Sequence, residues 1–254
     1  MVKVLPFLLY SRWLTTQLCS RRLTTQLCSR WLTLLLSCMR WLATLVLPLL
    51  SLWLVADWQR WVPTALVDKA RQQYGDSAAE RIQDWQFLMR DAAGEEEDEQ
   101  LRRVNDFFNR HIRFVNNDKH WGKVDYWATP YEALGTNGAD CEDYVIAKYY
   151  SLRQLGVDTR KLRITYVKAL RYNQAHMVLT YFPTPDAVPL VLDNLIKRIR
   201  PASERRDLAP VYSFNADGMW LERMKGEGIR MGNPNKLDLW TDLRIRMNEL
   251  GMDL

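Results

Sequence analysis

The stretch Asn137-Gly138-Ala139-Asp140-Cys141-Glu142-Asp143-Tyr144-Val145-Ile146-Ala147 joins a glycine-containing loop to an apolar run. Helical spacing continues to about Leu155, and Gly156 supplies the stop. Tyr144, Val145, Ile146, Ala147, Tyr149, Tyr150 and Leu152 cover nearly every side of that helix, so it belongs at the centre of the molecule. Just upstream, Thr129-Pro130-Tyr131-Glu132 reads as a capping box with Pro at the first helical position, closed by Gly135. Ser77-Ala78-Ala79-Glu80 reads as another, opening a helix over 78–92 with Ile82, Trp85 and Leu88 or Met89 on one face. The acidic run Glu95 to Glu99 precedes the apolar positions Leu101, Val104, Phe108 and Ile112, which makes it a solvated helix start that complements the dipole.

Downstream the period changes from helical to alternating. Residues 162–170, 175–182 and 188–193 are rich in Val, Ile, Tyr and Thr and predict an antiparallel meander, with further strands at 211–214 and 219–221. Gly226-Glu227-Gly228 lacks the strand-to-helix context of a phosphate loop and reads as a flexible connection, and 236–250 as a final helix. Helices followed by a sheet define an α+β fold.

The chemistry lies in few residues. Cys141 sits in the first turn of the central helix, where backbone N–H groups and the dipole favour a thiolate. Of three histidines, His111 lies among Arg110 and Arg113 on a helix and His120 in a polar turn, while His176 opens a strand. The Pro183 to Ala187 connection suggests a register in which paired positions sum to 369, which sets His176 opposite Asp193. A carboxylate there would hold the imidazole in one tautomer. Cys on a helix start, His on one strand and Asp on the next is the order of papain-like enzymes. Asp140, Glu142 and Asp143 crowd the thiol, and like charge disfavours a thiolate. They either cap the helix or, with carbonyls of loop 136–139, hold a hard cation such as calcium.

Composition narrows the classes further. The net charge is +5, yet residues 1–56 carry six of the 35 basic residues and none of the 30 acidic ones. The remainder is nearly neutral, which removes the composition argument for nucleic acid as a partner. Cys19, Cys28 and Cys38 also fall in that leader, so the body, residues 57–254, has no second thiol for a disulfide or a paired-thiolate zinc site. A nine-residue repeat from Ser11 to Thr33 has no solenoid period and is read as incidental. Met39-Arg40 and the apolar run from Trp41 to Val55 predict an export signal over 39–56, with 1–38 as an over-extended gene start. An uncleaved anchor is the alternative, since Leu54 sits three before the expected cut.

Four blocks in order carry a family resemblance: Trp121-Gly122-Lys123-Val124-Asp125-Tyr126-Trp127-Ala128-Thr129-Pro130, Gly138 to Tyr144, Ala175-His176-Met177-Val178-Leu179 and Val191-Leu192-Asp193-Asn194. Over about residues 57–225 the chain resembles the bacterial transglutaminase-like cysteine proteinases. The resemblance implies a papain-like or transglutaminase-like fold, with Cys141 as nucleophile, His176 as general base and acid, and Asp193 orienting the imidazole. It matches Asp140 and Glu142 to calcium-binding positions, with Asp143 added as a candidate. It further implies a periplasmic endopeptidase that cuts a large repeat-containing adhesin near its N-terminus, and an inner-membrane cyclic di-GMP receptor as inhibitor. Two other readings stay open: an acyl transferase resolving the same thioester with an amine, and a non-catalytic peptide-binding module.

Overall fold

The computed structural model describes residues 62–221, 229–232 and 237–254. The leader and the Gly226-Glu227-Gly228 connection lie outside them. Among the described residues no helix is long and apolar enough to cross a membrane. Helices α1 (Ala65–Tyr74), α2 (Asp76–Ala92), α3 (Glu97–His111), α4 (Asn117–His120), α5 (Pro130–Thr136) and α6 (Cys141–Gln154) come first, then strands β1 (Leu162–Ala169) to β7 (Ile229–Gly232), then α7 (Asp238–Glu249). The strands form one antiparallel sheet in the order β4-β3-β2-β1-β5-β6-β7, where β2 is Gln174–Tyr181, β3 Leu190–Leu192, β4 Arg200–Pro201, β5 Leu208–Phe214 and β6 Met219–Leu221. The fold is the expected α+β arrangement.

Helix α6 is buried on all sides from Asp143 to Leu152, because α3 covers one flank and β1 and β2 (Gln174–Tyr181) the other. Trp85 of α2 is fully buried against it and donates its indole N–H to Ser151 Oγ at 2.9 Å. Burying the apolar surface of such a residue contributes about 1.5–3 kcal/mol, so these aromatic contacts fix where the start of α6 lies.

The α5 capping box is complete: Glu132 N donates to Thr129 Oγ1 at 3.1 Å and Thr129 N to Glu132 Oε2 at 2.8 Å. The one expected at Ser77 is absent, since α2 begins at Asp76 after Gly75, whose φ of +91° places the turn one step earlier. Gly135 lies inside α5, and Asn137 in the left-handed region ends it. Strands β2 and β3 pair Thr180 with Val191 and Tyr181 with Leu190, so positions sum to 371 and not 369. The proline-bounded connection is longer than a tight turn, and the shift by two residues keeps every side chain on its expected face.

Candidate active site

Cys141 is the first residue of α6 and is half-buried. The loop before it is fixed by main-chain bonds to a neighbouring segment, Ala139 N to Arg113 O at 3.1 Å and Val115 N to Ala139 O at 2.9 Å. Arg81 reaches the carbonyls of Leu134 at 2.6 Å and Gly135 at 2.9 Å, satisfying the end of α5. The thiol donates to Glu142 Oε2 at 2.8 Å and accepts the backbone N–H of Met177. Burial, then the Glu142 carboxylate, push its pKa well above the ordinary thiol value, and the Met177 N–H opposes them. Met177 follows His176 directly, so the sulfur lies beside the strand position that carries the imidazole.

His176 Nε2 is 2.8 Å from Asp193 Oδ1, and both side chains are buried. With the register shifted by two, the pair is diagonal across β2 and the end of β3, a separation an imidazole spans. Asp193 also accepts Leu195 N at 3.0 Å on Oδ1 and Arg205 NH2 at 2.7 Å on Oδ2. Burial alone would raise its pKa, yet the His176, Arg205 and Leu195 donors hold it down at about 2. The Asp193 main-chain carbonyl accepts from Asn109 Nδ2 at 2.9 Å and from Lys148 Nζ at 3.2 Å. Lys148, fully buried on α6, bonds Asn109 Oδ1 at 2.9 Å, and burial lowers its pKa to about 7.

Arg205, Asn109 and Lys148 escaped the sequence reading. Lys148 had a signal, as a cation on an otherwise apolar helix. Arg205 lies in an ordinary charged run, Glu204 to Asp207, and had none.

Glu142 and Asp140 act on the thiol, and Asp125 acts on them. Asp140 is raised far above its usual range by burial and by the charges of Asp143, Glu142 and Asp125, and its buried Oδ1 has no hydrogen-bond partner. Asp125 is raised by burial and Glu142, while the Trp127 indole and the Tyr126 backbone oppose the rise. Among the described residues no group of three or more His, Cys, Asp or Glu side chains is arranged to hold a metal ion, but Asp140 brings a buried, unpartnered oxygen under the charges of Asp143, Glu142 and Asp125.

Asp143 and carbonyls of loop 136–139 are engaged with the main chain and with Arg113. Asp143 accepts Ala128 N at 2.6 Å on Oδ1 and Asp140 N at 3.2 Å on Oδ2, so it ties the loop to the helix start. In loop 136–139, Ala139 O accepts Val115 N and Asn137 O accepts Arg113 Nε at 3.3 Å. Asp125, inside the run Trp121 to Pro130, adds its charge to Asp140 and feels that of Glu142. Of the nearby indoles, Trp127 is committed to Asp125 and Trp121 Nε1 is buried without a partner. His120 lies over Gly138 and bonds Thr136 Oγ1 at 2.8 Å, and His111 stacks on Phe107.

A thiol on a helix start, next to a strand whose imidazole is bonded to a buried carboxylate, defines a thiol hydrolase built on a helix-plus-sheet scaffold. The family model described as bacterial transglutaminase-like cysteine proteinase matches residues 70–209, and the chain belongs to that family and is a cysteine protease. Among solved structures it is similar to Legionella pneumophila LapG, at 39% identity over 72% of this chain and 96% of that one, with a TM-score of 0.63. An EGTA-treated LapG from the same organism gives 39% identity, the same coverages and a TM-score of 0.64. Calcium-bound Legionella LapG gives 40% identity over 72% and 98% of the two chains, with a TM-score of 0.63. No curated protein matches the chain.

Proposed function

We propose that this chain is a calcium-dependent periplasmic endopeptidase in which Cys141, His176 and Asp193 carry the reaction. The observation behind this reading is the hydrogen-bonded His176–Asp193 pair one residue from the N–H that holds the Cys141 sulfur. With Nε2 committed to Asp193, Nδ1 is the ring nitrogen left to take the thiol proton. The sulfur then adds to a peptide carbonyl. Return of the proton through His176 to the departing amine leaves a thioester, which water hydrolyses. The Cys141 backbone N–H, at the first position of α6, would supply part of the oxyanion hole.

Asp140, Glu142 and Asp125 would hold calcium, whose charge offsets the carboxylates that otherwise raise the thiol pKa. The calcium-bound and EGTA-treated LapG structures support the choice of ion. Family membership supports the finer reading: the substrate is the N-terminal region of a large repeat-containing adhesin, cut at paired alanines, and an inner-membrane cyclic di-GMP receptor inhibits the protease. Biofilm attachment and release would then follow from its activity, and export from the leader.

The test is to mix the purified chain with a recombinant adhesin N-terminal region in calcium and in EGTA, and to sequence any fragments. One cut between paired alanines, present in calcium and lost in EGTA or with Cys141→Ala, is the expected result. An intact adhesin in calcium, or undiminished cleavage in EGTA, would reject the substrate or the metal respectively. Incorporation of a labelled amine in place of new termini would make the chain a transferase.

A further inference from the structure

Arg205 is almost completely buried just after the short turn Ala202–Glu204, and the steps above make no use of it. Its NH2 lies 2.7 Å from Asp193 Oδ2, while Nε and NH2 hold Asp207 at 2.9 and 2.8 Å. Asp193 therefore divides its two oxygens, Oδ1 to His176 and Leu195 and Oδ2 to Arg205. The terminal torsion of an aspartate is broad and roughly two-fold, so one bond to an imidazole does not fix the plane of the carboxylate. Asn109 and Lys148 grip the main-chain carbonyl, which sets the backbone and leaves that torsion free.

We propose that Arg205 is a positioning residue of this protease: it pins Asp193 Oδ2, so that Oδ1 stays on His176 Nε2 and the other edge of the ring stays turned to Cys141. A planar guanidinium suits the task because it can bind Asp193 and Asp207 together, which an ammonium does with less directional control. It also gives a fully buried carboxylate a permanent counter-charge whether or not the imidazole is protonated. The inference rests on the assignment of Cys141, His176 and Asp193 to catalysis.

The sequence has only three histidines, so nitrogen-15 labelling of histidine in the full chain, with calcium present, resolves the proton on His176 Nε2 by nuclear magnetic resonance. Its loss in Asp193→Asn identifies the signal. Arg205→Met should move this resonance toward that of a free imidazole and speed its exchange with water by about tenfold or more. On a peptide bearing paired alanines, the same variant should lower kcat by about tenfold with KM within about twofold.

Arg205→Lys should fall between Met and wild type in both readouts. Asp207→Asn, which leaves the Asp193 contact in place, should stay near wild type. A folded Arg205→Met with the wild-type resonance and exchange rate overturns the proposal, as does equal damage from Asp207→Asn. If Arg205→Met does not fold, wild-type resonance and kcat in Arg205→Lys overturn it. The resonance needs no turnover, so an inactive wild type would count against the substrate and leave the Arg205 test standing.

Discussion

Asp140 is held in place by the fold and penalised by its own neighbours. Its Oδ1 is buried and unpartnered among three other acidic side chains, so metal-free protein must take up a proton there to fold, a cost that Asp140→Asn removes. In EGTA that variant should melt at or above the wild-type temperature, and in millimolar calcium it should gain less than wild type, since only binding to the folded state adds stability. Equal calcium-dependent shifts by calorimetry would remove Asp140 from the metal site. Asp193 gives the pH prediction. Its pKa of about 2 lies below the value near 3.9 of an unfolded aspartate, so its ionisation stabilises the fold above about pH 4, and that stabilisation is lost as pH falls through about 2. Urea midpoints should fall less steeply in Asp193→Asn than in wild type over that window. The placement of Cys141 at a helix start and of His176 beside Asp193 could be read from residue type and element order. The Arg205 contact could not, because 12 residues separate it from Asp193 and a surface-like charge run hides it.

At the level of elements, the loop between α5 and α6 carries the cleanest test. A Cβ built on Gly138 would stand 2.4 Å from His120 Cε1, and that ring is pinned by Thr136 and by an edge contact with Trp121. Gly138→Ala should cost about 1–3 kcal/mol by forcing the ring aside, and His120→Ala in the same chain should recover most of it. Additive losses in a double-mutant cycle would contradict the contact. Periodicity located α2, α3 and α6 and a capping box located α5, and a glycine or asparagine follows the end of each except α3, which runs into Ile112. Strand register was less legible. The connection from Phe182 to Pro189 is too long for turn chemistry to set it, and the pairing shifted by two residues while the alternation of faces survived. The acidic cluster was half legible, since the acidic residues beside Cys141 stand together in the chain whereas Asp125 arrives from 16 positions away.

Across the whole molecule, α7 packs back on what precedes it. Trp240, Leu243 and Met247 are fully buried, and Trp240 meets Tyr149 of α6 and Phe214 of β5 edge-on. Trp240→Ala should destabilise by about 3–5 kcal/mol in urea unfolding, and a change under about 1 kcal/mol would mean that the helix docks loosely. The final helix was visible in the sequence as a period, but its partners were not, because pattern alone does not say which face meets which. Arg246 of α7 bonds Glu132 Oε2 at 2.7 Å and the Trp127 carbonyl at 2.6 Å, and so grips the cap of the helix that leads into the nucleophile loop. A chain cut short before α7 would therefore keep residues 141, 176 and 193 and still lack the guanidinium that ties down the start of α5.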